Sequence, residues 1–262
     1  MHSTSSDSIN VSIDGAIACV LLNRPDRLNA LDGPALDQLA EAVGNLTATA
    51  SIRCLLLTGA GRGFCAGGDL AARPPIGDHD TEVRTLRRRV KIVETLLATP
   101  VVSIAVINGA CAGMGLALAA ACDLRVAAEQ AVFATGYLRA GLPGDFGGMW
   151  LLTRLLGSGT AKDWFLRPRR LTAAEAAQAG FLSDVVPLTA LLPTAEVIAR
   201  AIVESDPEAV RAMKANSLDA SESLADYLDT ESDRHVRVRN SQRAVAAARA
   251  IVGNTGNRRN AA

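Results

Sequence analysis

The chain has 262 residues, 49% of them hydrophobic, which is enough to bury a full core in one large domain or in one domain with a small appendage. Its 27 lysines and arginines balance 27 aspartates and glutamates, so no global field draws it to nucleic acid or to an anionic membrane. No apolar run reaches the ~18 residues of a membrane span, and the polar, serine-rich start lacks the basic and then apolar order of an export signal. Five cysteines, Cys19, Cys54, Cys65, Cys111 and Cys122, sit mostly in apolar runs without CxxC spacing or clustered histidines. They read as small buried hydrophobes of a reduced, cytoplasmic protein with no metal site.

Ile9 to Ile13 and Ala16 to Leu22 flank Asp14-Gly15, a dipeptide suited to the positive φ angles of a tight turn, and predict an opening β-hairpin. Behind Asp32-Gly33-Pro34, the residues Leu36, Leu39, Val43 and Leu46 repeat at helical spacing, so a helix is expected over about 34–47. Cys54 to Leu57 reads as a short buried strand ending at Thr58-Gly59. The helical repeat of Val83, Leu86, Val90, Val93 and Leu97 predicts one long helix before Pro100. Val101 to Ile107 is the next buried strand, and an alanine-rich helix is expected over about 113–121. Met149 and Trp150 read as core. Thr172 and Glu175 make a capping-box pattern, with Gly180 as the helix end. Beyond about 189 strand signals vanish, and Ala195 to Val203, Glu208 to Met213 and Gln242 to Val252 read as helices. The alternation predicts an α/β core over 1–190, with ligands at strand ends, and a helical region over 191–262.

Two glycine loops carry the chemistry: Phe64-Cys65-Ala66-Gly67-Gly68-Asp69-Leu70, and Asn108-Gly109 through Gly115. Each follows an apolar strand-like run. The N–H groups around Gly113, Met114 and Gly115 open a helix, so they lack intrahelical acceptors and point, with the helix dipole, at a developing anion. The small residues Ala110, Ala112 and Gly113 let a ligand approach the backbone closely, and Gly68 offers a second donor. Two such donors make an oxyanion hole. Leu116 to Ala121 then carries almost no chemically competent side chain, and Asp145 is the carboxylate left for proton transfer.

Together with Leu22-Asn23-Arg24-Pro25, Asn29-Ala30-Leu31 and Cys122-Asp123, these loops resemble the enoyl-CoA hydratase/isomerase, or crotonase, superfamily over about residues 8 to 255. The resemblance implies a crotonase-like stacked ββα superhelix of the α/β class, with the C-terminal helices assisting assembly into trimers or hexamers. It implies an acyl-CoA thioester ligand, coenzyme A arriving with the substrate rather than as a separate cofactor. The thioester oxygen is expected between the amides of Gly68 and Met114. Arg24 and Arg27 are expected near the CoA phosphates, where a guanidinium suits the ligand, and Ala66, Gly67 and Asp69 complete the CoA-binding set.

Where the hydratases of this superfamily place two glutamates, this chain has Ala117 and Tyr137. A methyl group moves no proton, and a phenol with a pKa near ~10 is a poor base at neutral pH. Asp145, in Gly141-Leu142-Pro143-Gly144-Asp145-Phe146-Gly147-Gly148, stands, as the resemblance implies, where some family isomerases carry a carboxylate. One carboxylate suffices to shift a double bond, whereas Pro-Gly-Asp as plain turn chemistry is the structural alternative. Tyr137 is read as an aromatic wall or as a hydrogen-bond donor into the acyl pocket. Val90 takes the place of the dehalogenase branch's histidine, and the run Arg84, Arg87, Arg88, Arg89 and Lys91 reads as the polar face of its helix or as a CoA-phosphate contact. A dinucleotide site is disfavoured because Leu118 replaces the third glycine of the fingerprint, and a serine hydrolase because no GxSxG occurs. The competing readings are a hydratase with a non-standard acid/base set and a non-catalytic acyl-CoA-binding protein.

Overall fold

In a computed structural model, residues 8–72, 77–167, 169–219, 223–239, 241–243 and 246 are described. Strands β1 (Ile9–Asp14) and β2 (Ile17–Leu22) pair antiparallel, with Gly15 at φ 58° in the turn as expected. Helix α1 (Gly33–Ala48) begins at Asp32, whose carboxylate accepts from the Ala35 N–H at 2.9 Å, and buries Leu36, Leu39, Val43 and Leu46. That is the face its spacing foretold.

A strand–strand–helix unit then repeats. β3 (Cys54–Gly59) and β4 (Gly63–Cys65) precede α2 (His79–Arg89) and α3 (Lys91–Ala98). β5 (Val102–Ile107) and β6 (Ala110–Ala112) precede α4 (Met114–Ala121). β7 (Leu124–Ala128) and β8 (Val132–Ala134) precede α5 (Gly148–Leu166). β9 (Leu171–Thr172), α6 (Ala173–Gln178), β10 (Asp184–Val186) and α7 (Leu188–Glu204) follow. The first strand of each unit joins a six-stranded sheet in the order β1-β2-β3-β5-β7-β10, and the second joins a four-stranded sheet, β4-β6-β8-β9. Stacking of these units is the superhelix that the resemblance implies. Each glycine loop lies where the chain passes through or out of the smaller sheet. The capping box at Thr172 and Glu175 is present in full.

The chain divides into two compact units, Met1–Ala201 and Ile202–Ala262. In the second, α8 (Pro207–Asp219) and α9 (Leu224–Arg239) are linked by Arg234, which donates to Asn216 Oδ1 at 2.8 Å. The expected helix over 242–252 lies for the most part outside the described residues.

Three expectations are corrected. The long helix through Val90 is two helices, because Val90 (ψ −9°) ends α2 and opens α3. Only α3 meets the core, through Ile92, Val93 and Leu96, while Val83 and Leu86 on α2 stand exposed among arginines. Met149 and Trp150 are also exposed, because the next two residues, Leu151 and Leu152, take the inward face of α5. The Arg154 guanidinium covers the Trp150 ring instead, at 4.8 Å. The short strands β4 and β6, expected as parts of the glycine loops, are too brief to show a period of two.

The run Leu116 to Ala121 has a simple cause: α4 is buried on every side, so its residues are small or apolar all round. Four of the five free cysteines are buried and Cys19 is half-buried. Burial pushes the Cys65 thiol up to about 12, so it is no nucleophile.

Candidate active site

Asn29 sets the first loop. It is fully buried at φ 57°, a conformation asparagine tolerates, and its side-chain amide donates to the carbonyls of Ala60 (2.9 Å) and Gly63 (2.7 Å) while its Oδ1 accepts from the Arg24 N–H (2.8 Å). The Arg24 guanidinium then ties the motif to the loop, reaching Asp32 at 2.9 Å, Asp69 at 3.1 Å and the Ala30 carbonyl. Leu31 makes a parallel bridge to Gly68. The bridge uses the Gly67 carbonyl (2.8 Å) and the Asp69 N–H (2.9 Å), so the N–H of Gly68 itself faces the opposite side.

The second loop packs against the first, backbone to backbone. Asn108 donates to the carbonyls of Gly59 and Gly61, both at 2.8 Å. Gly67 sits at φ 104°, and a methyl group there would come within 3.0 Å of the Ala112 carbonyl oxygen and 3.6 Å of the Met114 nitrogen. At Gly115 a methyl would meet the Cys65 carbonyl oxygen at 2.3 Å. No backbone carbonyl among the described residues accepts from the N–H of Gly68 or of Met114. The two amides expected to act together therefore lie on adjoining loops, and neither is committed to the backbone.

Tyr137 opens a 3-10 turn (Tyr137–Ala140) and is buried. Its ring stacks on Phe165 with centroids 5.8 Å apart and planes within 10°. Its hydroxyl donates to Asp145 Oδ1 at 2.8 Å. Of the two uses weighed for Tyr137, the ring packs as an aromatic wall against Phe165, while the hydroxyl expected to donate into the acyl pocket is turned to a protein carboxylate instead. A methyl built on Gly148 would lie 3.5 Å from Ala117 Cβ and 3.8 Å from the Tyr137 hydroxyl, and one on Gly113 would lie 3.9 Å from Tyr137 Cε1. Ala117, Tyr137, Asp145 and the start of α4 are thereby brought to one place.

The electrostatics of the pair run one way. Burial pushes the Asp145 carboxyl above the ordinary carboxylate range, and the Tyr137 hydrogen bond pulls it partly back. Burial, then the Asp145 charge, push the Tyr137 phenol upward as well. Tyr137 is thus a fixed donor that keeps its proton, and Asp145 is the partner that titrates.

Of the expected cation positions, Arg27 is exposed on its 3-10 turn (Pro25–Arg27), whereas Arg24 is held between two carboxylates. Ala66 is half-buried, Gly67 is buried, and the Asp69 side chain is taken by Arg24 and by the Ala71 N–H. In the basic run, Arg87 pairs with Glu94, and Arg88 and Arg89 pair with Asp37, as a solvated helix face does. Phe165 and Gly148 carry no sequence signal of a role, Phe165 because it lies in no motif and Gly148 because a glycine at the end of a glycine-rich run does not announce what packs on it. Asn29 does carry one, since a polar residue between a turn and an apolar pair is a fair signal for a loop staple.

The model of the enoyl-CoA hydratase/isomerase family matches residues 12–249. The chain belongs to the enoyl-CoA hydratase/isomerase family. Among its relatives, the 1,2-epoxyphenylacetyl-CoA isomerase of Escherichia coli is 35% identical over 231 residues, 84% of this chain and 86% of that protein. The short-chain-enoyl-CoA hydratase of Clostridium acetobutylicum is 34% identical over 203 residues, 77% of each chain. A Thermobifida fusca structure in complex with acetoacetyl-CoA superposes with a TM-score of 0.82 at 27% identity, covering 88% of this chain and 94% of that one. Within the hydratase/isomerase family, then, relatives of nearly equal identity carry different reactions. Membership sets the chemical class, acyl-CoA processing, and the acid/base residues must select the reaction.

Proposed function

We propose that this family member is an acyl-CoA isomerase that moves a proton through Asp145. The observation that carries this reading is the 2.8 Å hydrogen bond from the Tyr137 hydroxyl to Asp145 Oδ1, beside Ala117. Hydration needs one group to activate water and another to protonate carbon. Ala117 supplies none, and the Tyr137 proton is committed to Asp145. An isomerisation needs only one base. The Asp145 carboxylate takes a proton from a carbon acidified by conjugation to the thioester, the N–H groups of Gly68 and Met114 stabilise the enolate oxygen, and Asp145 returns the proton at another carbon of the conjugated system. The double bond moves, the carboxylate is regenerated, and no atom is gained or lost.

Likeness to the 1,2-epoxyphenylacetyl-CoA isomerase supports this choice, and the acetoacetyl-CoA complex of the Thermobifida fusca protein supports thioester binding on this fold. In this reading Arg27, with Ala66 and Gly67, faces the CoA portion, and Arg24 and Asp69 hold the loop. Trimers or hexamers joined through the C-terminal helices complete it, and a monomer by light scattering would remove that part.

The absence of an acid at 117 favours one rival, a non-catalytic acyl-CoA-binding protein. Incubation in D₂O with 3-enoyl-CoA or dienoyl-CoA separates the two. The isomerase gives deuterium incorporation or double-bond migration by mass spectrometry, and hydrates crotonyl-CoA poorly. Thioester binding without exchange would establish the rival, and rapid stereospecific hydration would overturn the isomerase.

Tyr137→Phe is expected to keep the ring on Phe165 and to remove the donor that lowers the Asp145 pKa. The base must be ionised to act, so the acid limb of the kcat profile should move to higher pH. A limb that stays in place would detach Tyr137 from the base.

A further inference from the structure

The backbone around Asp145 is left-handed on both sides. Gly144 stands at φ 112°, Phe146 at φ 50° and Gly147 at φ 66°. Two of these positions hold glycine, for which the conformation is free of Cβ strain. The third holds phenylalanine, a bulky residue for which it is an outlier. Such a conformation persists only where the surroundings over-determine it, and here the anchor is visible, since Phe146 is 2% exposed within the main core cluster. Gly144 is fitted to the Tyr137 side of the site. A methyl on Gly144 would lie 3.3 Å from Phe165 Cε1 and 3.9 Å from Tyr137 Cδ2, and the Gly148 N–H donates back to the Asp145 carbonyl at 3.0 Å. Asp145 is therefore the one polar side chain on a short arch pinned at both ends.

We propose that Phe146 is a positioning residue: its buried ring, holding a left-handed backbone between Gly144 and Gly147, keeps the Asp145 carboxylate under the Tyr137 hydroxyl. The role in turnover rests on the reading of Asp145 as the base. The ring acts as a peg. Without it the arch relaxes to ordinary backbone, the carboxylate swings toward water, and the reacting carbon loses its aligned base. The titratable groups near the pair are Tyr137 itself and Cys65, which neighbours Tyr137, and burial keeps both protonated.

The test uses the full-length protein with ¹³C-labelled aspartate, the Asp145 carboxyl signal being assigned by its loss in Asp145→Asn. Phe146→Gly accepts the positive φ and removes the peg. It should return the Asp145 titration toward the ordinary carboxylate range and lower kcat by about 10²-fold, the scale of a misplaced catalytic group. KM should stay within about twofold, because thioester binding through the loops is untouched. Phe146→Leu keeps an apolar peg and should fall between, with a kcat loss on the order of tenfold and an intermediate titration. If Phe146→Gly does not fold, Phe146→Leu decides alone. A lower melting temperature with unchanged kcat and unchanged Asp145 titration would show a purely structural side chain and overturn the proposal. A wild type that transfers no proton would remove the functional reading, and the titrations would still decide whether Phe146 places the carboxylate.

Discussion

Asp145→Asn is expected to lower the isomerisation rate by about 10²–10⁴-fold while leaving thioester affinity close to that of the wild type. Asparagine is isosteric and offers a carbonyl oxygen to the Tyr137 hydroxyl, which now donates at 2.8 Å, so the arch and the aromatic stack keep their geometry. What disappears is the only carboxylate that, among the described residues, is placed beside Tyr137 and Ala117. The same substitution should raise the melting temperature at neutral pH. Burial raises the Asp145 pKa, so the folded protein holds that proton more tightly than the unfolded chain does. Stability from this group is therefore fully present below the unfolded pKa and is lost as pH rises through the folded one. At neutral pH the ionised carboxylate weighs against the fold, and asparagine removes that burden. The gain should shrink as the pH falls below about 4, where the carboxyl is protonated in both states. Calorimetry at the two pH values, beside mass-spectrometric exchange, reads both effects. Turnover within threefold of the wild type would mean the proton travels by another route, and a variant less stable at neutral pH would mean that Asp145 holds the fold instead.

The second large effect is expected at Gly67. Alanine there must adopt φ 104° and brings its methyl to 3.0 Å from the Ala112 carbonyl oxygen, so the first loop has to shift by a few tenths of an ångström against the second. A shift of that size separates the N–H groups of Gly68 and Met114, which in the proposed mechanism converge on one oxygen. Loss of one preorganised donor corresponds to about 10²–10³-fold in kcat, so Gly67→Ala should fall in that range. Gly15→Ala is the control. It puts alanine at φ 58° in the hairpin turn with no heavy atom within 4 Å of the new methyl, so it strains the backbone far from the loops without a clash and should leave kcat unchanged. Equal losses in the two variants, measured per folded molecule, would show that strain alone lowers activity and would remove the donor role of the loop.

Features with a local cause were legible before any coordinates. The hairpin at Asp14-Gly15, the inward stripe of α1 and the Thr172–Glu175 box follow from turn chemistry, periodicity and capping, each settled within a few residues. The break at Val90 was not legible, because an apolar repeat keeps its spacing whether or not a core faces it. Trp150 failed for a related reason: on a helix entered from a loop, which neighbour points inward depends on the angle of entry. The site divides in the same way. Asp145 and Tyr137 were singled out separately by comparison with a family pattern, and nothing in the chain between them announced a hydrogen bond.

By itself, then, the sequence determined the family, carried the two glycine loops, and set Ala117 and Tyr137 where the resemblance implies the hydratase glutamates. Only the tertiary structure decided that the Tyr137 hydroxyl is turned onto Asp145, that Arg24 is held by Asp32 and Asp69, and that Phe146 is pegged in the core with a left-handed backbone. The physical reason is the range of the interactions. Backbone angles and amphipathic periods are set by nearest neighbours along the chain. A group's hydrogen-bond partner and its proton affinity are set by whatever the fold brings beside it and by how much water the fold removes.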